Sequence, residues 1–392
     1  MAQVPQFQLS GTPSEIGFQH GQYASKQIEN SLELYTKYFK EQAGLDWSQV
    51  RELAQEFAKN VAKDHQDLLK EMKGIAEGSR QEWIDIVALN VRSEIGLASP
   101  KAREMQPIDG CTAFSWRDKD GTFWSAQNWD WKASASSSLI ALDILAHEPT
   151  KRPRIKIMTE AGVIGKIGVN EFGVSVMLNA LKTDLRDPSY IPIHLLLRRL
   201  ISLPSVSSCL SYLSSSPITN RCASAAHILL TDPTSSISLE ILPTGIFTRT
   251  LSSSSDPPSP TRNEQDKGEG ECCFFLSHTN HLKYTTEQTE THLWPDSFPR
   301  QKTLDSLLSS SSTSPSTTTS NTMSFDRARE VLSDRSLGQK GICRHEDEKS
   351  GDIVTVFSIA VKNSKEKDKV KAEVIVGRPD EAGEMIEFGF RE

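Results

Sequence analysis

Cys111 follows an Asp-Gly pair in "PIDGCTAFSW" and opens what otherwise reads as a β-strand. Asp109-Gly110 is a strong turn signal, because Gly accepts positive φ and Asp hydrogen-bonds its own neighbouring backbone. Taken alone the stretch reads as a turn followed by a buried structural thiol, since free Cys is among the most buried residue types and is usually inert. "SAQNWDW" puts Ala126, Asn128 and Asp130 on one face of a strand and Gln127, Trp129 and Trp131 on the other. Carboxylates are disfavoured within strands, so Asp130 lies on an exposed face or has a specific task. "HTNH" holds Asn280, whose amide would serve a developing oxyanion if it faces a cleft. Its His278 and His281 follow a strand pattern with no third ligand in view, which argues against zinc. "GICRHEDE" sets Arg344 beside an acidic run, either as a solvated ion-pair cluster or as a guanidinium fork for a substrate carboxylate.

The elements that must position these residues change character along the chain. Residues 13 to about 95 carry helical periodicity: in "DHQDLLKEMKGIAEGS", Leu68, Leu69, Met72, Ile75 and Ala76 recur at three- and four-residue spacing, and Gly78 reads as the stop. "WIDIVALNVRSE" keeps the rhythm. From Asp109 the texture turns to short β-branched and aromatic runs, "CTAFSW", "TFWSAQNWDW", "SLIALDILAH", "RIKIMTE", "VIGKIGV" and "GVSVMLNA". The first two read as a hairpin over "RDKDG". "IPIHLLLRRLISL" and "SVSSCLSYLSS" return to helix, "AHILLTD" with "SISLEIL" reads as another hairpin, and "IVTVFSIAV" with "KAEVIVG" as a last strand pair. This order predicts a layered α+β fold rather than alternating βαβ units. Gly162, Gly165 and Gly168 do not make a dinucleotide fingerprint, since a strand rather than a helix follows them; "VNEFG" reads as a hairpin turn.

Two Ser/Thr/Pro-rich stretches, at about 252–270 and 308–322, are too poor in apolar residues to offset their ordering entropy and read as mobile insertions. The 392 residues carry a formal net charge of -7, which argues against nucleic acid as a partner. No apolar run approaches 18 residues and no long Lys/Arg block suggests a membrane surface. Six cysteines (111, 209, 222, 272, 273 and 343) show no C-x-x-C pair, a pattern of reduced thiols. The N-terminus lacks a secretory pattern and "GFRE" is not a peroxisomal tripeptide, so the expected location is cytoplasmic.

"GTPSEIGFQHG", "DGCT", "AQNWDW", "TEAGVIGKIG", "HTNHL", "ICR" and "VGRPD" occur here in the order and spacing of a known family. The chain resembles the isopenicillin N acyltransferase family, C45-type cysteine enzymes of the N-terminal nucleophile hydrolase class, from about Gly11 to Phe390. The resemblance implies a four-layer αββα sandwich in one combined structural domain. It implies self-cleavage between Gly110 and Cys111, giving a helical small chain of residues 1–110 and a large chain of residues 111–392 that begins with the nucleophile. Asp130 would assist at the nucleophile, Asn280 would be an oxyanion donor, and Arg344 would shape the site or hold a carboxylate. No cofactor or metal is implied. Acyl-CoA or an amide would donate the acyl group to Cys111, and a small peptide-like amine would accept it. With water as acceptor the same thioester makes an amidohydrolase of small N-acyl or β-alanyl amides. An unprocessed, non-catalytic binding protein is the alternative from another class.

Overall fold

The computed structural model describes residues 3–98, 110–146, 152–215, 221–252, 274–285, 295–313, 322–346 and 353–390. Eight strands lie side by side in the order β1 (Gln6–Gly11), β4 (Leu139–Ala146), β5 (Ile155–Glu160), β6 (Ile167–Asn170), β7 (Ser175–Ala180), β8 (Ala226–Thr231), β9 (Ser235–Leu242) and β10 (Gly245–Ser252). β1 runs parallel to β4, and every other neighbour in this sheet is antiparallel. A second, antiparallel sheet has the order β11 (Phe275–His278), β2 (Thr112–Arg117), β3 (Phe123–Lys132), β12 (Ile353–Asn363), β13 (Lys371–Val376) and β14 (Met385–Gly389).

Alternation along the strands produces the layers, because successive side chains point to opposite faces. In β4, Ile140, Leu142 and Ile144 join a core with helices α1 (Pro13–Tyr23), α2 (Ser25–Tyr38), α3 (Trp47–Asp64), α4 (Gln66–Ser79), α5 (Trp83–Asn90) and α6 (Arg92–Ala98). Two further helices, α7 (Ile193–Leu200) and α8 (Val206–Ser215), pack on the same face. Leu139 and Ala141 turn the other way, into a core between the sheets shared with Cys111, Ala113, Trp129 and Phe357. On the outer face of the second sheet, Phe114, Trp116, Trp124 and Ala126 pack against α9 (Ser297–Thr313) and α10 (Phe325–Leu332). The result is the expected αββα sandwich. Among the described residues no helix is long and apolar enough to cross a membrane.

Local chemistry explains the elements that frame the site. Thr12 caps α1 and Glu15 reaches back to the Thr12 N–H at 2.8 Å, a capping box with Pro13 at the first helical position. The predicted "RDKDG" hairpin joins β2 and β3, with Gly121 at φ +86° and the Asp118 carboxylate accepting from the indoles of Trp116 and Trp124, each at 2.9 Å. The remaining predicted pairings, β6 with β7, β8 with β9 and β12 with β13, are all present.

Gly78 is not a helix stop. It lies inside α4, and the left-handed residue that ends the helix is Arg80, at φ +59°. Gly78 and Gly74 instead face Gly17 and Gly21 of α1, and a Cβ at any of the four would collide with backbone of the other helix. The glycines allow the two backbones to touch, and His20 of α1 then accepts the Gly162 N–H at 3.0 Å. Burial lowers the His20 pKa to about 3, so its ring stays neutral and able to accept.

The second Ser-rich stretch is in part helix: α9 continues to Thr313, anchored where Leu304 and Leu308 are buried against β2 and β3. Packing of two leucines outweighs the weak propensity of the serine run. Most of both stretches, and Cys272 and Cys273, lie outside the described residues.

Replacing Gly78 by Ala is expected to destabilise the protein by about 1–3 kcal/mol through overpacking, seen as a lower urea midpoint at unchanged m. Gly389→Ala, with open space at its Cβ, is the control and should stay within about 0.5 kcal/mol.

Candidate active site

Strand register brings the candidate residues together from distant parts of the chain. Asp130, two residues before the end of β3, lies opposite Thr355 of β12. On the other side of β2, His278 of β11 pairs with Ala113. The chain after β11 therefore carries Asn280 along the start of β2, beside Cys111. Arg344 is fixed to the same edge by its backbone: its carbonyl accepts from Thr355 N at 3.1 Å and its N–H donates to Thr355 Oγ1 at 2.9 Å.

A chain of charges runs from Asp130 to the Gly110–Cys111 peptide. Thr355 Oγ1 donates to Asp130 Oδ1 at 2.8 Å, and Arg344 Nε lies 3.2 Å from Asp130 Oδ2. The Arg344 terminal nitrogen pairs with Asp296, which also receives Arg300 Nε at 3.1 Å. Arg300 Nη1 donates to Gly110 O at 2.7 Å, Cys111 O at 2.9 Å and Thr112 Oγ1 at 3.1 Å, while Nη2 donates to Asn280 Oδ1 at 2.9 Å. Asn280 is fully buried; its Nδ2 donates to Ala180 O at 3.0 Å and its N–H to Ser297 Oγ at 2.8 Å. Gly110 packs so closely that a Cβ there would fall within the Arg344 guanidinium.

Two carboxylates and two guanidiniums in one buried row compensate each other, which is the condition for charges to persist away from water. Burial works to raise the Asp296 carboxyl, but Arg300 and Arg344 together hold it below the usual carboxylate range. Burial and the neighbouring Arg344 charge lower the Arg300 pKa, opposed by Asp296 and Asp130.

A second cluster comes from the eight-stranded sheet. Glu160, at the end of β5, accepts from Lys166, Arg92 and Tyr35 and is fully buried. The Lys166 ammonium sits 3.3 Å from the centroid of the Trp129 ring, which shares the inter-sheet core with Cys111. Burial lowers the Lys166 pKa to about 8, opposed chiefly by Glu160 and also by Cys111.

Asp130 is therefore not on an exposed face; none of its surface is accessible. A strand carboxylate is tolerated there because Thr355 and Arg344 bind it. Arg344 does not join the acidic run that follows it but turns inward to Asp130 and Asp296, with 11 % of its side chain exposed. The histidines of "HTNH" serve structure: His278 lies 2.9 Å from Glu240 and stacks on His227, and His281 contacts Ser297 Oγ at 2.7 Å. Among the described residues no three His, Cys, Asp or Glu side chains are grouped to hold a metal.

Sequence reasoning missed Arg300, Asp296, Glu160 and Lys166. In "WPDSFPR", Arg300 four residues after Asp296, the spacing of an ion pair on one helix face, was the available signal. In "TEAGVIGK", two charges six residues apart within a glycine-rich apolar run were the available signal.

The four layers form an αββα sandwich, with Cys111 directly before β2, between β11 and β3 of the second sheet. The model of one family, "Acyl-coenzyme A:6-aminopenicillanic acid acyl-transferase", matches residues 116–379, and the chain belongs to that family. The matched span includes Asp130, Asn280, Arg300 and Arg344. The 40 kDa form of acyl-coenzyme A:6-aminopenicillanic-acid-acyltransferase of Emericella nidulans is 28% identical over 388 residues, covering 97% of this chain and 94% of that one. Among solved structures, an N-acylethanolamine-hydrolyzing acid amidase ortholog of Caenorhabditis elegans aligns at a TM-score of 0.40 and 14% identity, covering 64% of this chain and 92% of that one. Penicillin V acylase from Agrobacterium tumefaciens aligns at 0.38 and 12%, covering 71% and 86%.

Glu160→Gln should cost about 3–5 kcal/mol, because Lys166 and Arg92 lose the buried charge they share. Urea unfolding at pH 7 reads this, and a loss below about 1 kcal/mol would mean that the cluster does not depend on that charge.

Proposed function

We propose that this chain is a self-processing acyltransferase whose nucleophile is Cys111 at the start of the large chain, residues 111–392. The observation that carries the proposal is the convergence of Asp130, Asn280 and Arg344, from separate elements, on the row of polar groups that ends at the Gly110–Cys111 peptide. Family membership supports the same reading. In the first reaction Cys111 Sγ attacks the Gly110 carbonyl carbon. The amide C–N bond breaks, the Cys111 nitrogen takes up a proton as the new α-amine, and water then hydrolyses the Gly110 thioester to a carboxylate.

In turnover the α-amine accepts the thiol proton and Sγ attacks the carbonyl of an acyl-CoA or an amide, expelling the thiol or the amine. The amine of a small peptide-like acceptor then attacks the acyl-Cys111 thioester. Asp130, fixed by Thr355, stabilises the α-ammonium. Asn280 donates to Ala180 through one amide hydrogen, and the second serves the oxyanion. Arg344 holds Asp130 and Asp296 in place and bounds the site where Gly110 lies.

Denaturing intact-mass measurement of the purified protein tests this reading. Two fragments that meet between Gly110 and Cys111 are expected, with a single chain for Cys111→Ala. One uncleaved chain in both would overturn the proposal in favour of a non-catalytic binding protein. In the processed enzyme kcat/KM should rise with pH through about 8, as a terminal amine of ordinary pKa loses its proton. Mass analysis of products from acyl-CoA donors, with and without amines, separates transfer from hydrolysis: an amide product that appears only with amine is expected, and free acid in both would identify an amidohydrolase.

A further inference from the structure

We propose that Arg300 is the catalytic electrophile of self-cleavage, donating from Nη1 to the Gly110 carbonyl oxygen as that oxygen becomes negative. The inference rests on the self-processing reading and goes beyond it, since that reading gives the oxyanion of turnover to Asn280 and leaves the oxyanion of cleavage without a donor. Arg300 Nη1 lies 2.7 Å from Gly110 O, on the bond that would break. The same nitrogen lies 2.9 Å from Cys111 O, so one donor pins the carbonyls on both sides of that bond.

The guanidinium is preorganised. Asp296 holds Nε at 3.1 Å, Asn280 Oδ1 accepts Nη2 at 2.9 Å, and Thr112 Oγ1 lies 3.1 Å from Nη1. None of its surface reaches solvent, so its charge acts on the carbonyl without screening by water. Asn280 turns its oxygen to Arg300, and through that contact it orients the arginine.

When Cys111 Sγ adds to the Gly110 carbon, the carbonyl π electrons move to the oxygen and the charge forms at the atom that Arg300 already binds. Collapse of this intermediate re-forms the C=O bond and expels the Cys111 nitrogen. Arg300 gives up no proton: the thiol proton ends on the new α-amine, and water later supplies the hydroxyl of the Gly110 carboxylate.

The test is a time course of cell-free translation of the full chain, quenched and read by intact mass. Arg300→Met should cleave about 10²–10³-fold more slowly than wild type, the usual consequence of removing one oxyanion donor. Arg300→Lys should retain part of the rate, and millimolar methylguanidinium should accelerate Arg300→Ala at least tenfold while leaving wild type unchanged. The last measurement separates chemistry from folding, because a misfolded variant gains nothing from a soluble guanidinium. Arg300→Met cleaving within threefold of wild type would overturn the inference alone. Slow variants that neither lysine nor methylguanidinium restores would also overturn it, leaving Arg300 as a structural ion-pair partner. A wild-type chain that stays whole would overturn the self-processing reading itself and this inference with it.

Discussion

Two guanidiniums, Arg300 fully buried and Arg344 largely so, share one carboxylate beside the Gly110–Cys111 peptide, and the geometry of the site depends on that arrangement. Arg300 and Arg344 repel each other, and both meet Asp296. Asp130 supplies the second negative charge, and Thr355 donates to its Oδ1. Removing any one member leaves an uncompensated charge away from water, which is costlier than the complete set. The row therefore constrains four pieces of chain at once: the end of β3, the start of α9, the segment around Arg344 and the start of β12. Each lies against Gly110 or the start of β2 because the charges must balance there.

Such a row needs a rigid frame. The inter-sheet core provides one wall, with Cys111 and Ala113 pointing into it, while Phe114 and Trp116 hold the opposite face of β2 against α9 and α10. α9 has two tasks in consequence. Its first turn carries Arg300 into the site, and Leu304 and Leu308 further along fix its position on the sheet. The glycine contact between α1 and α4 plays a corresponding part in the outer helical layer, where backbone approach lets His20 reach the chain between β5 and β6.

That stretch of chain brings the second charge cluster, built on Glu160 and Lys166, toward the same core. The nucleophile candidate thus sits between polar groups drawn from both sheets while its own surroundings are largely apolar. In a site of low dielectric each of these charges acts at full strength and needs no reorganisation. The Lys166 pKa of about 8 reflects the tension between burial and the Glu160 carboxylate.

Local sequence determined much of the frame. Turn chemistry marked the "RDKDG" and "VNEFG" hairpins, alternation marked the strands, and helical periodicity marked residues 13 to about 95, because each depends on residues within a few positions of one another. The motifs holding Cys111, Asp130, Asn280 and Arg344 were legible as well, but the surroundings of these residues were not. The odds from residue type favoured an exposed Asp130 and a solvated Arg344, since isolated charges usually stay in water. Both turn inward because they pair with each other across more than 200 positions of sequence, and Arg344 pairs with Asp296 as well. Gly78 misled for the same reason: a glycine that ends a helix and one that admits a neighbouring backbone look alike until the neighbour is in place. Arg300 was passed over entirely, for nothing beside it in sequence reveals a carbonyl 190 residues earlier. Sequence determined which elements form and which residue types are on hand for chemistry; only the tertiary structure decided which charges meet, because compensation of buried charge is a property of the packed chain.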